Sequence, residues 1–395
     1  MNGNLQRLWS LDPGIDFLNH GSFGACPKPV LAFLARVQKR LERQPVRFFL
    51  EECEPLLDEA RSTLAKLLRA GAADLAFVPN ATAGVNTVLR SLRFRKGDEL
   101  LVTNHAYNAC RNALNFVAAQ SGARVIPVAV PFPLRRTNDV LDPILEAVTS
   151  RTRLALLDHV TSPTALVMPI ADLVRELDHR GVDTLVDGAH APGMIACDLR
   201  RLGAAYYTGN CHKWLCAPKG AGFLHVRPDR QRELHPLSIS HGANSPRRDR
   251  SRFQLEFGWT GTTDPSPYLC VPEAIRFMGG LLPGGWPELM RHNRQLAMDA
   301  RRMLCHALGI DVPCPDAMIG SMAAIPLPAR RASDRTVKRF GWDPLHRILW
   351  NKFRIEVPIL AWPAPPKRVV RISAQLYNHK DQYERLARAL ATLLE

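Results

Sequence analysis

The sequence predicts an α/β protein: a mainly parallel sheet flanked by helices, with a small α+β domain built largely from the C-terminal third. Three observations carry this. Short apolar runs of strand length alternate with helical segments from residue 75 to residue 226, the pattern of a sheet covered on both faces. The last third then changes character, to long helices and short, separated strands. Finally, 395 residues, 46% of them hydrophobic and 23% charged, describe a folded chain too long for one simple core.

The elements follow in order. Residues 29–44 and 54–69 read as helices, the second with Leu56, Leu57, Ala60, Leu64, Leu67 and Leu68 on one stripe. Next come strand Leu75–Val78, a helix from Ala83, strand Glu99–Val102, a helix from Asn108 and strand Arg124–Val128. A helix from Asp142, strand Leu154–Asp158, a helix from Asp172, and strands Thr184–Asp187, Ala204–Thr208 and Gly222–Val226 complete the alternation. Asp264–Pro272, rich in Pro and Thr, reads as a linker. Beyond it lie a long helix near Glu288–Leu308, short strands near Ala323–Ile325 and Val369–Ser373, and a closing helix from Lys380 to Leu394. The division expected is a large domain over residues 20–262 and a small domain formed by residues 1–19 with 263–395.

Lys plus Arg number 52 against 37 acidic residues, a net charge of +15, which raises nucleic acid or an anionic membrane as partners. The excess is spread along the chain. Its densest runs are Arg247, Arg248, Arg250 and Arg252, then Arg330, Arg331, Arg335, Lys338 and Arg339. Neither run is interleaved with aromatics for base stacking, so solvated faces and fields for an anionic substrate are the better reading and nucleic acid is unlikely. The longest apolar-leaning stretch, Val125 to Leu134, carries Pro127, Pro131 and Pro133 and is about half a membrane span. The first residues lack the apolar core of a signal peptide. Nine cysteines, an odd number with no CxxC pair, argue for free thiols in a reducing cytoplasm and against disulfides or a metal site.

Three segments carry chemistry. Asn80-Ala81-Thr82-Ala83-Gly84 joins a strand to a helix; such a turn is an ordinary N-cap or, with its free N–H groups and a hydroxyl, a phosphate cradle. Asp187 ends an apolar strand in Val186-Asp187-Gly188-Ala189-His190, where open α/β sheets bind ligands. It is either a helix cap or a carboxylate for a protonated heteroaromatic nitrogen. Lys213 follows the next strand, in His212-Lys213-Trp214. Partial desolvation among such neighbours lowers an amine's pKa and makes it a nucleophile. Phosphate turn, acid at a strand end and lysine after the next strand form the ordered set that pyridoxal 5'-phosphate (PLP) requires.

The chain resembles the fold-type I PLP enzymes of the class V aminotransferase group, and within them the isopenicillin N epimerase-like family. The resemblance rests on Asn19-His20-Gly21-Ser22-Phe23-Gly24, Asn80-Ala81-Thr82-Ala83, Asp187-Gly188-Ala189-His190-Ala191-Pro192-Gly193, His212-Lys213-Trp214-Leu215, Gly220-Ala221-Gly222-Phe223 and Val370-Arg371-Ile372-Ser373-Ala374. It implies that Lys213 bonds the cofactor aldehyde and carries the Cα proton. Asp187 pairs with the pyridine nitrogen, His190 and Ser162 sit near the phenolic oxygen, and Tyr107 stacks on the ring. Thr82, the Ala83 N–H, Thr208 and His212 hold the phosphate. Gly261 and Thr262 reach the phosphate of the neighbouring subunit, which implies a homodimer. Arg371 clamps the carboxylate of an amino acid substrate. Asn19 and His20 border that clamp, with His20 either structural or facing substrate. Two positions depart from the epimerase pattern: Cys211 before His212, read as packing, and Arg47, read equally as a reader of a distal acidic group or a surface charge.

The resemblance implies Cα proton abstraction, with epimerisation as the leading outcome and β-elimination by a C–S lyase as the runner-up. A cysteine desulfurase needs a nucleophilic Cys on a loop, and neither Cys305 nor Cys314 lies in a matching motif. A transaminase ranks lower, since nothing marks a second amino acceptor. Outside enzymes, the alternative is a nucleic-acid-binding protein on a PLP-like fold.

Overall fold

A computed structural model describes residues 5–329 and 343–394. The basic run from Arg330 to Arg339 lies outside the described residues.

A short strand β1 (Asp16–Phe17) precedes the main sheet. That sheet contains β2 (Leu75–Val78), β3 (Glu99–Thr103), β4 (Arg124–Val128), β5 (Thr152–Asp158), β6 (Asp183–Gly188), β7 (Tyr206–Asn210) and β8 (Gly222–Val226). The order across its seven strands is β2-β8-β7-β6-β5-β3-β4. Strands β4, β3, β5, β6 and β7 pair in parallel, while β8 runs antiparallel to both β7 and β2. The central strands are buried along nearly their whole length, as a sheet covered on both faces requires.

The reversal at β8 positions the site. A chain leaving β7 at its carboxyl end and returning antiparallel in β8 keeps residues 211–221 at that rim. Val78, the last residue of β2, pairs with Gly222 there. The turn after β2, the end of β6 and the loop after β7 therefore meet at one edge of the sheet.

Several boundaries differ from the sequence reading. The helix after β2 begins at Ala81, two residues early, because the Asn80 side chain caps it by accepting from the Ala83 N–H. The next expected shift is larger: the helix expected from Asp142 spans Asn138–Glu146 with Pro143 inside it. Strand β7 is displaced towards Asn210, with Tyr206 pairing to Leu185. The Asp264–Pro272 linker is instead helical, as Ser266–Leu269 and the start of Val271–Gly279; Pro267 and Pro272 sit in first turns, where no N–H is needed.

The C-terminal part contains β9 (Met322–Leu327), β10 (Ile355–Glu356), β11 (Ile359–Ala361) and β12 (Arg368–Ser373). Strands β11, β12 and β9 form an antiparallel sheet, and helices Gly285–Ala307 and Lys380–Leu394 pack beside it. Strand β10 pairs in parallel with β1, and the Ser373 N–H donates to the Leu18 carbonyl. These bonds lay residues 19–22 against β12. A Cβ at Gly21 would lie 2.3 Å from the Met322 sulfur, so a larger residue there needs that side chain to shift.

Candidate active site

Lys213 sits on the 211–221 loop, with its Nζ 3.1 Å from His190 Nε2. Burial, followed by the Arg371 charge, lowers its amine from the ordinary 10.5 to about 8. The backbone beneath is fixed. His20 is fully buried, donates from Nε2 to the Lys213 carbonyl at 3.0 Å, and accepts the Tyr377 hydroxyl on Nδ1 at 2.8 Å. Burial holds the His20 imidazole neutral, with a pKa near 3, as that tautomer requires. Both His20 nitrogens are committed, so of its two sequence readings the structural one fits. Gly24, at φ +70°, passes so close to the loop that a Cβ would lie 2.1 Å from the His212 carbonyl oxygen.

Asp187 is the penultimate residue of β6, 4% exposed. One carboxylate oxygen accepts the Ala189 N–H at 2.9 Å and the other the Cys110 thiol at 3.1 Å. His190 is buried, and its Nδ1 has no hydrogen-bond partner; burial and the Lys213 charge keep its imidazole neutral. Cys211 is fully buried, in keeping with packing.

At the turn after β2 the donors divide. Asn210 Oδ1 accepts the Ala81 N–H at 2.8 Å and Asn80 Oδ1 accepts the Ala83 N–H at 2.9 Å. The Ala83 N–H expected on the phosphate is thus spent on the cap. The Thr208 hydroxyl, expected there too, donates to the Phe223 carbonyl at 2.8 Å and packs under Gly84. Thr82 sits on the free side of the turn, and no bond ties its hydroxyl among the described residues. His212 accepts nothing from this turn; its Nδ1 donates to the Ala221 carbonyl at 3.2 Å. Gly261 lines a cavity of about 420 Å³ together with Ala83 and Tyr268, and Thr262 beside it is exposed.

Arg371 comes from β12 and is 3% exposed. It donates to the Ser162 carbonyl at 2.6 Å, to the Ser162 hydroxyl at 3.3 Å and to the Ser22 hydroxyl at 2.9 Å. Ser22 donates onward to Asn19 Oδ1 at 2.6 Å, and Asn19 Nδ2 donates to Glu356 at 3.3 Å. No carboxylate pairs with Arg371 among the described residues, its Nε has no partner, and burial lowers its pKa to about 10. A buried cation without a counter-ion is costly and suits an anionic ligand. Ser162 is thereby placed on the arginine, and Asn19 acts through Ser22.

The Arg47 side chain is 62% exposed and lies 3.4 Å from both Glu51 and Glu52. Tyr107, at the start of helix Asn108–Ser121, is 46% exposed, and its phenol lies near enough to act on Arg371. Among the described residues no group of three His, Cys, Asp or Glu side chains lies close enough to hold a metal ion. No described helix is long and apolar enough to cross a membrane.

The aminotransferase class-V profile matches residues 33–324. The chain belongs to the aminotransferase class-V family. Isopenicillin N epimerase of Streptomyces clavuligerus is 36% identical over 97% of this chain and 96% of its own length. A probable chloroplastic L-cysteine desulfhydrase of Arabidopsis thaliana is 33% identical over 97% of this chain and 84% of its own. Among solved structures, the cysteine desulfurase CsdA of Escherichia coli superposes with a TM-score of 0.79 at 20% identity, covering 100% of this chain and 99% of that one. A variant of the lyase C-DES with glycine covalently linked to its PLP cofactor gives 0.78 at 20% identity, covering 96% and 97%. This class-V protein is a PLP-dependent enzyme. Its own residues fit the cofactor: an amine of lowered pKa, a buried carboxylate at a strand end, and a buried imidazole nitrogen awaiting a partner. All nine cysteines are free and buried, so no described cysteine offers an exposed thiol of the kind a desulfurase loop presents.

Sequence reasoning missed Asn210, Ser22, Cys110 and Asp158, the last of which ends β5 beside Asp187. A signal for Asp158 existed: an acid closes the apolar run Leu154–Asp158 just as one closes Thr184–Asp187.

Proposed function

We propose that this enzyme removes the Cα proton of an amino acid or peptide-like amino acid and returns a proton to the opposite face, as an epimerase of the isopenicillin N epimerase kind. The observation that carries this reading is the Lys213 amine of lowered pKa, 3.1 Å from His190, beside a buried arginine that lacks a carboxylate partner. Arg371 takes the substrate carboxylate in a charge-assisted pair, while Ser22 and Ser162 hold its guanidinium in place. Lys213, about half of it neutral near pH 8, accepts the Cα proton. Bound PLP supplies the electron sink for that step. Asp187 is the carboxylate for its ring nitrogen, His190 Nδ1 for its phenolic oxygen, and Thr82 for its phosphate, with His212 beside it. Tyr107, half-exposed and near Arg371, is the acid assigned to the face opposite Lys213. A homodimer completes the site: Gly261 and Thr262 face outward near Ala83, and exposed Leu237 beside the same cavity suits burial against a second copy.

A second reading is β-elimination from a cysteine-type substrate. It is supported by the desulfhydrase relative and needs only one base at Cα. Incubation of amino acids and cysteine conjugates in D₂O separates the two. Exchange at Cα with inverted product and no pyruvate supports the epimerase, with Tyr107→Phe retaining exchange but losing inversion. Sustained release of pyruvate and ammonia overturns it in favour of the lyase.

A further inference from the structure

Strands β5 and β6 pair in parallel with Asp158 in register with Asp187. Register partners on neighbouring strands project to the same face, about 4.8 Å apart at Cα. Both side chains are 4% exposed, and neither forms a salt bridge among the described residues. Two buried carboxylates on the same face of neighbouring strands raise the cost of ionising both.

The surroundings decide which of the two holds a charge at lower cost. Asp187 has a hydrogen-bond donor on each oxygen, the Ala189 N–H and the Cys110 thiol. Asp158 lies beside the Tyr107 backbone, so helix Asn108–Ser121 meets the pair twice, at Tyr107 and through Cys110. The helix N-terminus favours a single negative charge there. The titratable groups facing Asp158 are Asp187 from β6, Cys110 from that helix, and Lys213 from the loop after β7. Burial, then the Asp187 charge, raises the Asp158 carboxyl well above its ordinary 3.8, with the Tyr107 N–H and Lys213 opposing.

We propose that Asp158 is a positioning residue of the cofactor site: a neutral carboxyl that leaves the pair's charge on Asp187 and pins Tyr107 at the start of its helix. This rests on the reading of Asp187 as the partner of the cofactor ring nitrogen. Asp158 touches no reacting atom; it acts through its two neighbours. Ionising it would place a second negative charge beside Asp187 and would weaken the hold of both on one another's geometry.

The test uses the full chain freed of cofactor, so that the readout is not turnover. Thermal unfolding is followed from about pH 5 to about pH 9 for wild type, Asp158→Asn, Asp187→Asn and the double variant. A carboxyl whose folded pKa lies above its unfolded one costs stability as pH rises past the unfolded value. Asparagine keeps the neutral shape and cannot ionise. Asp158→Asn should therefore gain on wild type by roughly 2 °C or more as pH rises, and the gain should shrink when Asp187→Asn is also present. Parallel curves would overturn the proposal. Should Asp158→Asn fail to fold, infrared spectroscopy of the wild type answers the same question: a protonated-carboxyl band persisting above about pH 7 supports it and its absence overturns it. If Asp187→Asn binds PLP with an unchanged visible spectrum, the ring-nitrogen reading fails instead, whatever the unfolding curves show.

Discussion

Two groups of cations in this molecule have opposite surroundings. Arg371 and Lys213 are enclosed at the sheet rim, and neither forms an ion pair with a carboxylate among the described residues. Arg247 and Arg250 lie on the surface and are matched: Arg247 binds Glu54 and Asp249, and Arg250 binds Asp58 through both terminal nitrogens. The first arrangement costs stability and leaves the cation available to a ligand. The second costs little and leaves nothing to bind. The +15 net charge therefore says less about function than the few positive groups that lack a partner.

The largest effect expected from breaking the first group is at Lys213. Lys213→Ala should lower turnover by about 10³-fold or more, since the proton acceptor at Cα is removed. It should also abolish the visible absorbance band of lysine-bound cofactor. Arg371→Met should reduce kcat/KM about 10–100-fold, the value of a charge-assisted pair. At the same time it should raise the melting temperature of the cofactor-free protein, because a buried unpaired cation has gone. A fall in melting temperature would show that the guanidinium is held for structure. The Lys213 amine gives a third, smaller test by pH. Its folded pKa of about 8 lies below its ordinary 10.5, so the unfolded chain binds more protons between these values. Stability should rise with pH over that window in wild type relative to Lys213→Met. Equal slopes in calorimetry would place the amine in solvent.

Much of this was legible in the sequence because it is local. The alternation of apolar runs marked the parallel sheet, and Asp187, His190 and Lys213 stand in short segments whose order alone points to PLP. What stayed hidden depends on register and on chain reversal. Asp158 became relevant only when β5 paired with β6, and Asn210 only when β7 placed its amide on the Ala81 N–H. The Ala83 N–H and the Thr208 hydroxyl read as phosphate donors because sequence does not reveal that Asn80 and Phe223 take them. Arg47 shows the same limit on the surface: only the folded helix brings Glu51 and Glu52 to it.

The smallest effect belongs to the second group. Arg250 is bidentate to Asp58, with contacts of 2.9 and 2.5 Å, and its side chain is 22% exposed. Arg247, at 42% exposed, meets Glu54 from helix Cys53–Leu68. Coulomb attraction at such sites is weakened by water and screened within about 8 Å at physiological salt. Replacing Arg250 with alanine should therefore cost less than about 1 kcal/mol and replacing Arg247 should cost little, read by urea unfolding, and the loss should shrink as salt is added. Turnover should not change, because neither arginine reaches the sheet rim. The double variant tests the nucleic-acid alternative: if these residues were a binding footprint, DNA or RNA retention at low salt would fall sharply while stability barely moved. A chain whose stability and nucleic-acid retention both stay nearly constant carries its surface arginines as solvated, internally paired charge.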